Sequence, residues 1–306
     1  MLVETTSPQV DPKESETQAK KIASAKLNCS TLQKFFILLI TCRFFMIINP
    51  QHIIGPRIYS RIVSLVPSQT ELLYDLGLED EVKAITKFCV HPAKWYKNKT
   101  RIGGTKNVNI NAIKKINPDL IIANKEENVK EQVEELAKTF DVLVTDVNNF
   151  QEALQMIKDI GVLTGKITEA LTIVNKIESK FQNFFGSTIN ERKIKTAYLI
   201  WENPFMAAGR NTFINDMMQY CGLENIFSKQ ERYPKITLED LQNCELVLLS
   251  SEPYPFKEKH LKEMQAQIPG LKIIIVDGEM FSWYGSRLLK AADYFEKLQK
   301  NKVLLY

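Results

Sequence analysis

Cys89 and His91 stand two apart in "CVHPAKW". An imidazole at that place could coordinate cobalt, iron or zinc, or could serve as a hydrogen-bonding residue lining a cleft. Cys89 reads as a small buried apolar residue rather than a ligand. His52 and His260 have no partner pattern. Three tryptophans, Trp95, Trp201 and Trp283, could form an aromatic wall, because aromatic faces bury area on a planar ligand at low entropic cost. Core packing is the competing reading for each, and Trp283, in "EMFSWYG" after a strand end, leans towards a cleft. Arg210 in "AAGRN" could pair with a carboxylate or phosphate of a ligand, or sit on the surface. Catalytic signatures are missing: there is no P-loop, G-x-S-x-G or H-E-x-x-H, and "IGGTKN" lacks the three-glycine spacing of a dinucleotide site. The residues point to binding rather than catalysis, and the chain is read as no enzyme.

Elements that could position these residues follow from periodicity. "RIVSLVPSQTELLYDLGL" (Arg61 to Leu78) reads strand, turn, helix, with Ser68 and Glu71 at capping-box spacing and Gly77 as the stop. Strands are expected at Glu81–Phe88, Pro118–Asn124 and Asp141–Asp146. Helices are expected at Ile110–Ile116 and Glu126–Phe140, the second with Val129, Val133, Leu136 and Phe140 on one face and Glu126 and Glu127 favouring its start. This is the alternation of a parallel sheet. From Asn149 to Phe185 the pattern is helical only and poor in Gly, Ser and Pro, so it should act as a rigid spacer. Alternation resumes with strands at Ile194–Trp201, Glu245–Ser250 and Lys272–Gly278, and with helices at Thr212–Gly222, Thr237–Gln242 and Ser286–Lys300. Pro67, Ser68 and Gln69 turn a corner and should also line a cleft, because ligands of such sheets sit beyond the carboxyl ends of the strands.

Composition agrees with an ordinary globular chain. Of 306 residues, 44% are hydrophobic and 25% charged, and the net charge of +4 is too small and too evenly spread to argue for nucleic acid. Five cysteines without a C-x-x-C pair make neither a disulfide framework nor a zinc cage. Residues 1–57 read as a polar leader with an apolar segment at 34–48, "KFFILLITCRFFMII". It has the lysine and apolar stretch of a signal or anchor but is short for a span and lacks a clear cleavage site. Two readings stand: a periplasmic or membrane-anchored protein, or a cytoplasmic one whose true start is Met46.

The order of these pieces resembles the helical-backbone group of periplasmic-type substrate-binding proteins, which carry cobalamin, ferric siderophores or haem to ABC importers. The resemblance rests on "RIVSLVPSQTELLYDLGL", "IGGTKNVNINAIKKINPDLIIA", "AAGRNTFINDMMQYCGLENIF" and "YPKITLEDL", and covers about residues 61–299. It implies a class III architecture: two Rossmann-like α/β lobes (58–148 and 187–306) joined by a long rigid backbone helix (149–186). It further implies a monomer with no intrinsic cofactor that holds a small metal chelate between the lobes, with an ABC permease as partner. By position, the ligand-facing residues would be Pro67, Ser68, Gln69, Cys89, His91, Trp95, Gly103, Gly104, Thr105, Asn124, Lys125 and Glu126 from the first lobe. From the second would come Trp201, Glu202, Phe205, Arg210, Tyr233, Glu279, Phe281 and Trp283. Thr105 and Asn124 stand where a cobalamin-binding relative has tryptophan. Such a relative docks its importer with one glutamate per lobe; Glu239 matches the second, but Asn111 stands in the first-lobe place, which puts conventional docking in doubt. A corrinoid or chelate binder without a permease, and an enzyme on the same fold, remain the rival readings.

Overall fold

The runs "IVS" and "LIIAN", 58 residues apart, lie side by side with every residue buried. That is what parallel strands covered on both faces require. The structure, a computed structural model, describes residues 45–47, 58–188 and 192–300. In its first lobe, strand β1 (Phe45–Ile47) is followed by β2 (Ile62–Ser64), helix α1 (Pro67–Asp75), β3 (Val82–Ile85), α2 (Ala93–Asn98), β4 (Thr100–Arg101), α3 (Ile110–Ile116), β5 (Leu120–Asn124), α4 (Lys130–Ala137) and β6 (Asp141–Thr145). The sheet order is β1-β6-β5-β2-β3-β4, parallel except for β1 on the edge. The strand order reverses between β2 and β5, and that switch point opens a crevice beyond their carboxyl ends. The start of α1, with Pro67 to Gln69, and the end of β5 with the turn after it, Asn124 to Asn128, lie there.

Two expected helix starts move. α1 is not closed by a capping box: Val66 is its N-cap, no side chain caps it, and Pro67 occupies the first turn, where its missing N–H costs nothing. α4 begins at Lys130 rather than Glu126, because Asn124 and Asn128 claim the intervening backbone. Asn124 Oδ1 accepts from the Glu126 and Glu127 N–H groups at 2.8 and 3.1 Å, and Asn128 Oδ1 accepts from Asn124 N at 2.8 Å.

The helical segment is a hairpin rather than one rod. α5 (Phe150–Leu163) turns at Gly165 into α6 (Ile167–Thr188), 22 residues long and so about 33 Å. The two run antiparallel. Phe150 meets Phe181 at 4.7 Å between ring centroids, and a Cβ on Gly161 would come within 2.5 Å of Ala170 Cβ, so only glycine fits that crossing.

The second lobe comprises β7 (Ile194–Trp201), β8 (Met206–Ala207), α7 (Phe213–Tyr220), β9 (Leu223–Asn225), a 3-10 turn at Glu239–Leu241, β10 (Leu246–Ser250), α8 (Glu258–Gln267), β11 (Lys272–Val276), α9 (Gly278–Ser282) and α10 (Leu288–Lys300). Its sheet runs β11-β10-β7-β8, with β9 also on β7, and its switch point lies between β7 and β10. One apolar cluster runs from β2 and α1 through α5 and α6 to α10, joining the lobes along their backs. Smaller clusters cover the other face of each sheet.

Cys89, Cys221 and Cys244 are free and buried. Among the described residues no helix is long and apolar enough to cross a membrane. Of the apolar segment 34–48 only β1 falls among the described residues; the remainder, and the rest of the leader, lies outside them.

Candidate functional site

Loops at the carboxyl ends of the strands of the two sheets face each other, and their side chains meet. From the first lobe, His91 Nε2 lies 3.2 Å from Glu279 Oε1 of the second, and the imidazole sits edge-on to Trp283 at 5.6 Å. Glu279 Oε2 accepts from Arg287 Nη1 at 2.9 Å, and Arg287 Nε donates to Glu71 of α1 at 2.7 Å, where Lys290 adds a bond at 3.0 Å. Arg287 also lies over the Trp283 ring at 4.9 Å. On the opposite side, Arg232 pairs with Glu126, to which the Tyr233 hydroxyl donates at 3.2 Å, and Arg232 Nη1 reaches Asn148 at 3.0 Å. Glu252, just beyond β10, accepts from Ser282 Oγ at 2.6 Å and Trp283 Nε1 at 2.7 Å. Burial, and then the Glu279 charge, push its carboxyl up against those two hydrogen bonds.

Glu127 occupies the middle. Burial between the lobes and the charges of Glu252 and Glu126 push its carboxyl up to about 8. No side chain or backbone group among the described residues donates to that carboxyl. Beside it, the Tyr284 hydroxyl lies next to Ser68 and Gln69. Gln69 Nε2 donates to Thr145 Oγ1 at 2.5 Å, but Ser68 Oγ, Gln69 Oε1 and Tyr284 Oη are buried with no hydrogen bond of good geometry.

Of the residues expected from sequence, the structure brings Ser68, Gln69, His91, Tyr233, Glu279 and Trp283 to this crevice, with Pro67 at the head of α1. Gly103 holds φ +96°, and Gly104 backs onto Phe88, which is half exposed beyond β3; Thr105 contributes a carbonyl to Asn128 Nδ2 at 3.0 Å. Glu202 accepts from the Tyr254 hydroxyl, and the exposed Trp201 packs on the same ring at 5.5 Å.

Other residues of that set have their own partners in the fold. Trp95 is fully buried in the first-lobe core, edge-on to Tyr74, with Nε1 donating to Glu79 at 3.0 Å. Phe281 is fully buried between Tyr198 and Phe295. Asn124 spends its amide on the α4 entry turn and on Thr145. Lys125 pairs with Asp146 at 2.6 Å. Cys89 is buried beneath Thr70 and Thr86, and burial pushes its thiol up.

Arg210 pairs with Glu231 on the surface at 2.9 Å, while its bridge partner strand supplies the arginine that crosses to the first lobe. That arginine is Arg232, held at φ +54°, a conformation that costs a non-glycine residue about 1 kcal/mol or more. Its ion pair with Glu126 offsets that cost. Arg210→Ala is therefore expected to change unfolding free energy by no more than about 0.5 kcal/mol. A denaturant titration giving more than about 1 kcal/mol would return Arg210 to the working set.

Sequence reasoning missed Glu71, Glu127, Arg232, Glu252, Tyr284 and Arg287. The available signal was position alone: Glu127 and Glu252 both follow strands at the switch points.

Comparison with known proteins gives the same architecture. The family model described as "Periplasmic binding protein" matches residues 62–268. An uncharacterized ABC transporter substrate-binding lipoprotein of Bacillus subtilis is 24% identical over 246 residues, covering 76% of this chain and 77% of that one. The periplasmic vitamin B12 binding protein of Vibrio cholerae superposes with a TM-score of 0.68 at 19% identity, over 80% of this chain and 98% of that one. A periplasmic heme binding protein from Pseudomonas aeruginosa also superposes at 0.68, with 17% identity over 78% and 92% of the two chains.

Proposed function

Because the chain belongs to the periplasmic binding protein family, we propose that it is the substrate-binding component of an ABC-type importer, with a corrinoid or another metal chelate, haem or a ferric siderophore, as cargo. The observation that carries this reading is the crevice between the facing strand-end loops of the two sheets, with His91 and Glu279, and Glu126 and Arg232, meeting across it. Such crevices are where open α/β sheets bind ligands. The names of the vitamin B12 and heme binding neighbours support the cargo class, and the lipoprotein relative supports an ABC permease as partner.

The role that goes with this reading is capture of the cargo, with His91, in contact with Glu279 and Trp283, bordering the crevice. The helical hairpin and the shared apolar cluster favour small hinge motion over wide opening. The compartment that goes with this role is periplasmic or membrane-anchored. Docking would use the exposed Glu239 on the second lobe and the exposed Asn111 on the first, the protein acting as a monomer without nucleic acid.

The test is a titration of the full chain with cyanocobalamin, cobinamide, haemin and a ferric hydroxamate, followed by tryptophan fluorescence. Saturable quenching at micromolar affinity or tighter is expected with at least one. Trp283→Phe should remove much of the signal change, because its indole borders the crevice, and Trp95→Phe should leave it. A flat response to all four ligands would sink the reading.

A further inference from the structure

Among the described residues, two acceptors at the crevice lack donors, Gln69 Oε1 and the Glu127 carboxyl, and the buried polar groups without partners also include the Ser68, Tyr284 and Ser286 hydroxyls and Arg287 Nη2. Arg232 is taken by Glu126 and Asn148, and Arg287 by Glu71 and Glu279. One donor, Arg287 Nη2, remains unmet on a guanidinium already bound to two carboxylates. Glu127 has neither a donor nor a cation in contact, Glu252 has the neutral donors Ser282 and Trp283 but no cation, and Gln69 Oε1 has no donor although Gln69 is fully buried. The Ser68 and Tyr284 hydroxyls, 2% and 5% exposed, are buried in the same place and can serve either role. Buried acceptors without donors are costly, and that cost is recovered when a ligand supplies the donors. An anionic group entering here would face Glu127 and Glu252 instead.

Resting on the reading that this crevice holds a chelate, we propose that it selects chelates presenting amine or carboxamide N–H groups to Glu127 and Gln69 and discriminates against chelates rich in carboxylate or catecholate. The raised carboxyl of Glu127 fits this role: it holds a proton in the free crevice and gives it up when a cation arrives. The charged and titratable groups around it are Glu126, Glu252, Lys106, Tyr233, Tyr284 and Cys89.

The experiment uses matched pairs on the full chain at pH 8.5, where Glu127 is ionised. Cyanocobalamin is compared with its monocarboxylic acid, ferrioxamine B with its N-succinyl derivative, and the diamide of haemin with haemin. In whichever scaffold binds, the amide or amine member is expected to bind about tenfold tighter or more. Glu127→Gln should shrink that ratio, and Glu127→Lys should reverse it. Equal or tighter binding of the carboxylate member overturns the selectivity while leaving the receptor reading intact. Silence from all three scaffolds in both forms removes the receptor reading and the selectivity together.

Discussion

Arg287→Met is expected to cost about 3–5 kcal/mol of unfolding free energy, because it strands a buried carboxylate. Glu71 is 6% exposed and Arg287 4%, and their contact of 2.7 Å joins α1 to the turn before α10, between residues 216 apart in sequence. With the guanidinium gone, Glu71 keeps only the largely exposed Lys290 at 3.0 Å. Glu279 loses its 2.9 Å partner as well, and Trp283 its cation. Replacing both ends of the main pair, Glu71→Leu with Arg287→Met, should recover much of the loss, since a packed apolar pair avoids the desolvation of two charges. Urea titrations of the wild type, both single variants and the double variant close the cycle. A loss below about 1 kcal/mol for Arg287→Met would mean that water already reaches Glu71 and that the lobes are not joined through this pair.

That pair shows what could and could not be read ahead of the structure. The βα alternation was legible because buried parallel strands such as "LIIAN" are continuous apolar runs and the helices between them keep a 3.6-residue stripe. The loops of the crevice were legible as well, because they follow strand ends. Partner choice was not. Glu71 fits a capping box with Ser68 by spacing, yet Pro67 makes a cap unnecessary and frees Glu71 to cross to Arg287. Arg210 is bridged to Glu231, and Arg232, the next residue, with a left-handed backbone, carries the guanidinium that crosses to Glu126.

The three tryptophans make the same point by type. Trp95 is core, Trp201 is exposed and Trp283 borders the crevice, three fates set by packing across elements rather than by anything local. The α4 start was misjudged because two asparagines, Asn124 and Asn128, bind the backbone between them more strongly than Glu126 and Glu127 favour a helix.

Glu127→Gln is expected to stabilise the protein at alkaline pH and to leave it unchanged in acid. The folded carboxyl sits at about 8 against an ordinary 4.5, with burial as the main cause and the Glu252 and Glu126 charges next. Between those two values the folded chain keeps a proton that the unfolded chain has lost, so stability falls as pH rises from about 4.5 to about 8 and levels off above. The carboxyl retains partial contact with solvent, which reduces the linkage, and the expected gain for the variant at pH 8.5 is about 2 kcal/mol. Near pH 4.5 glutamine and protonated glutamate have the same shape and charge, and the two proteins should unfold together. Asp159, raised to about 6 by burial within α5, adds its own slope to both and cancels in the difference. Parallel urea titrations from pH 4.5 to 9 measure this directly. A difference independent of pH would place Glu127 in contact with bulk water, and a gap that closes as pH rises would reverse the sign of the argument. A gap that opens with pH, and closes again when an amine-bearing chelate saturates the wild type, would show the same carboxyl trading its proton for the cargo.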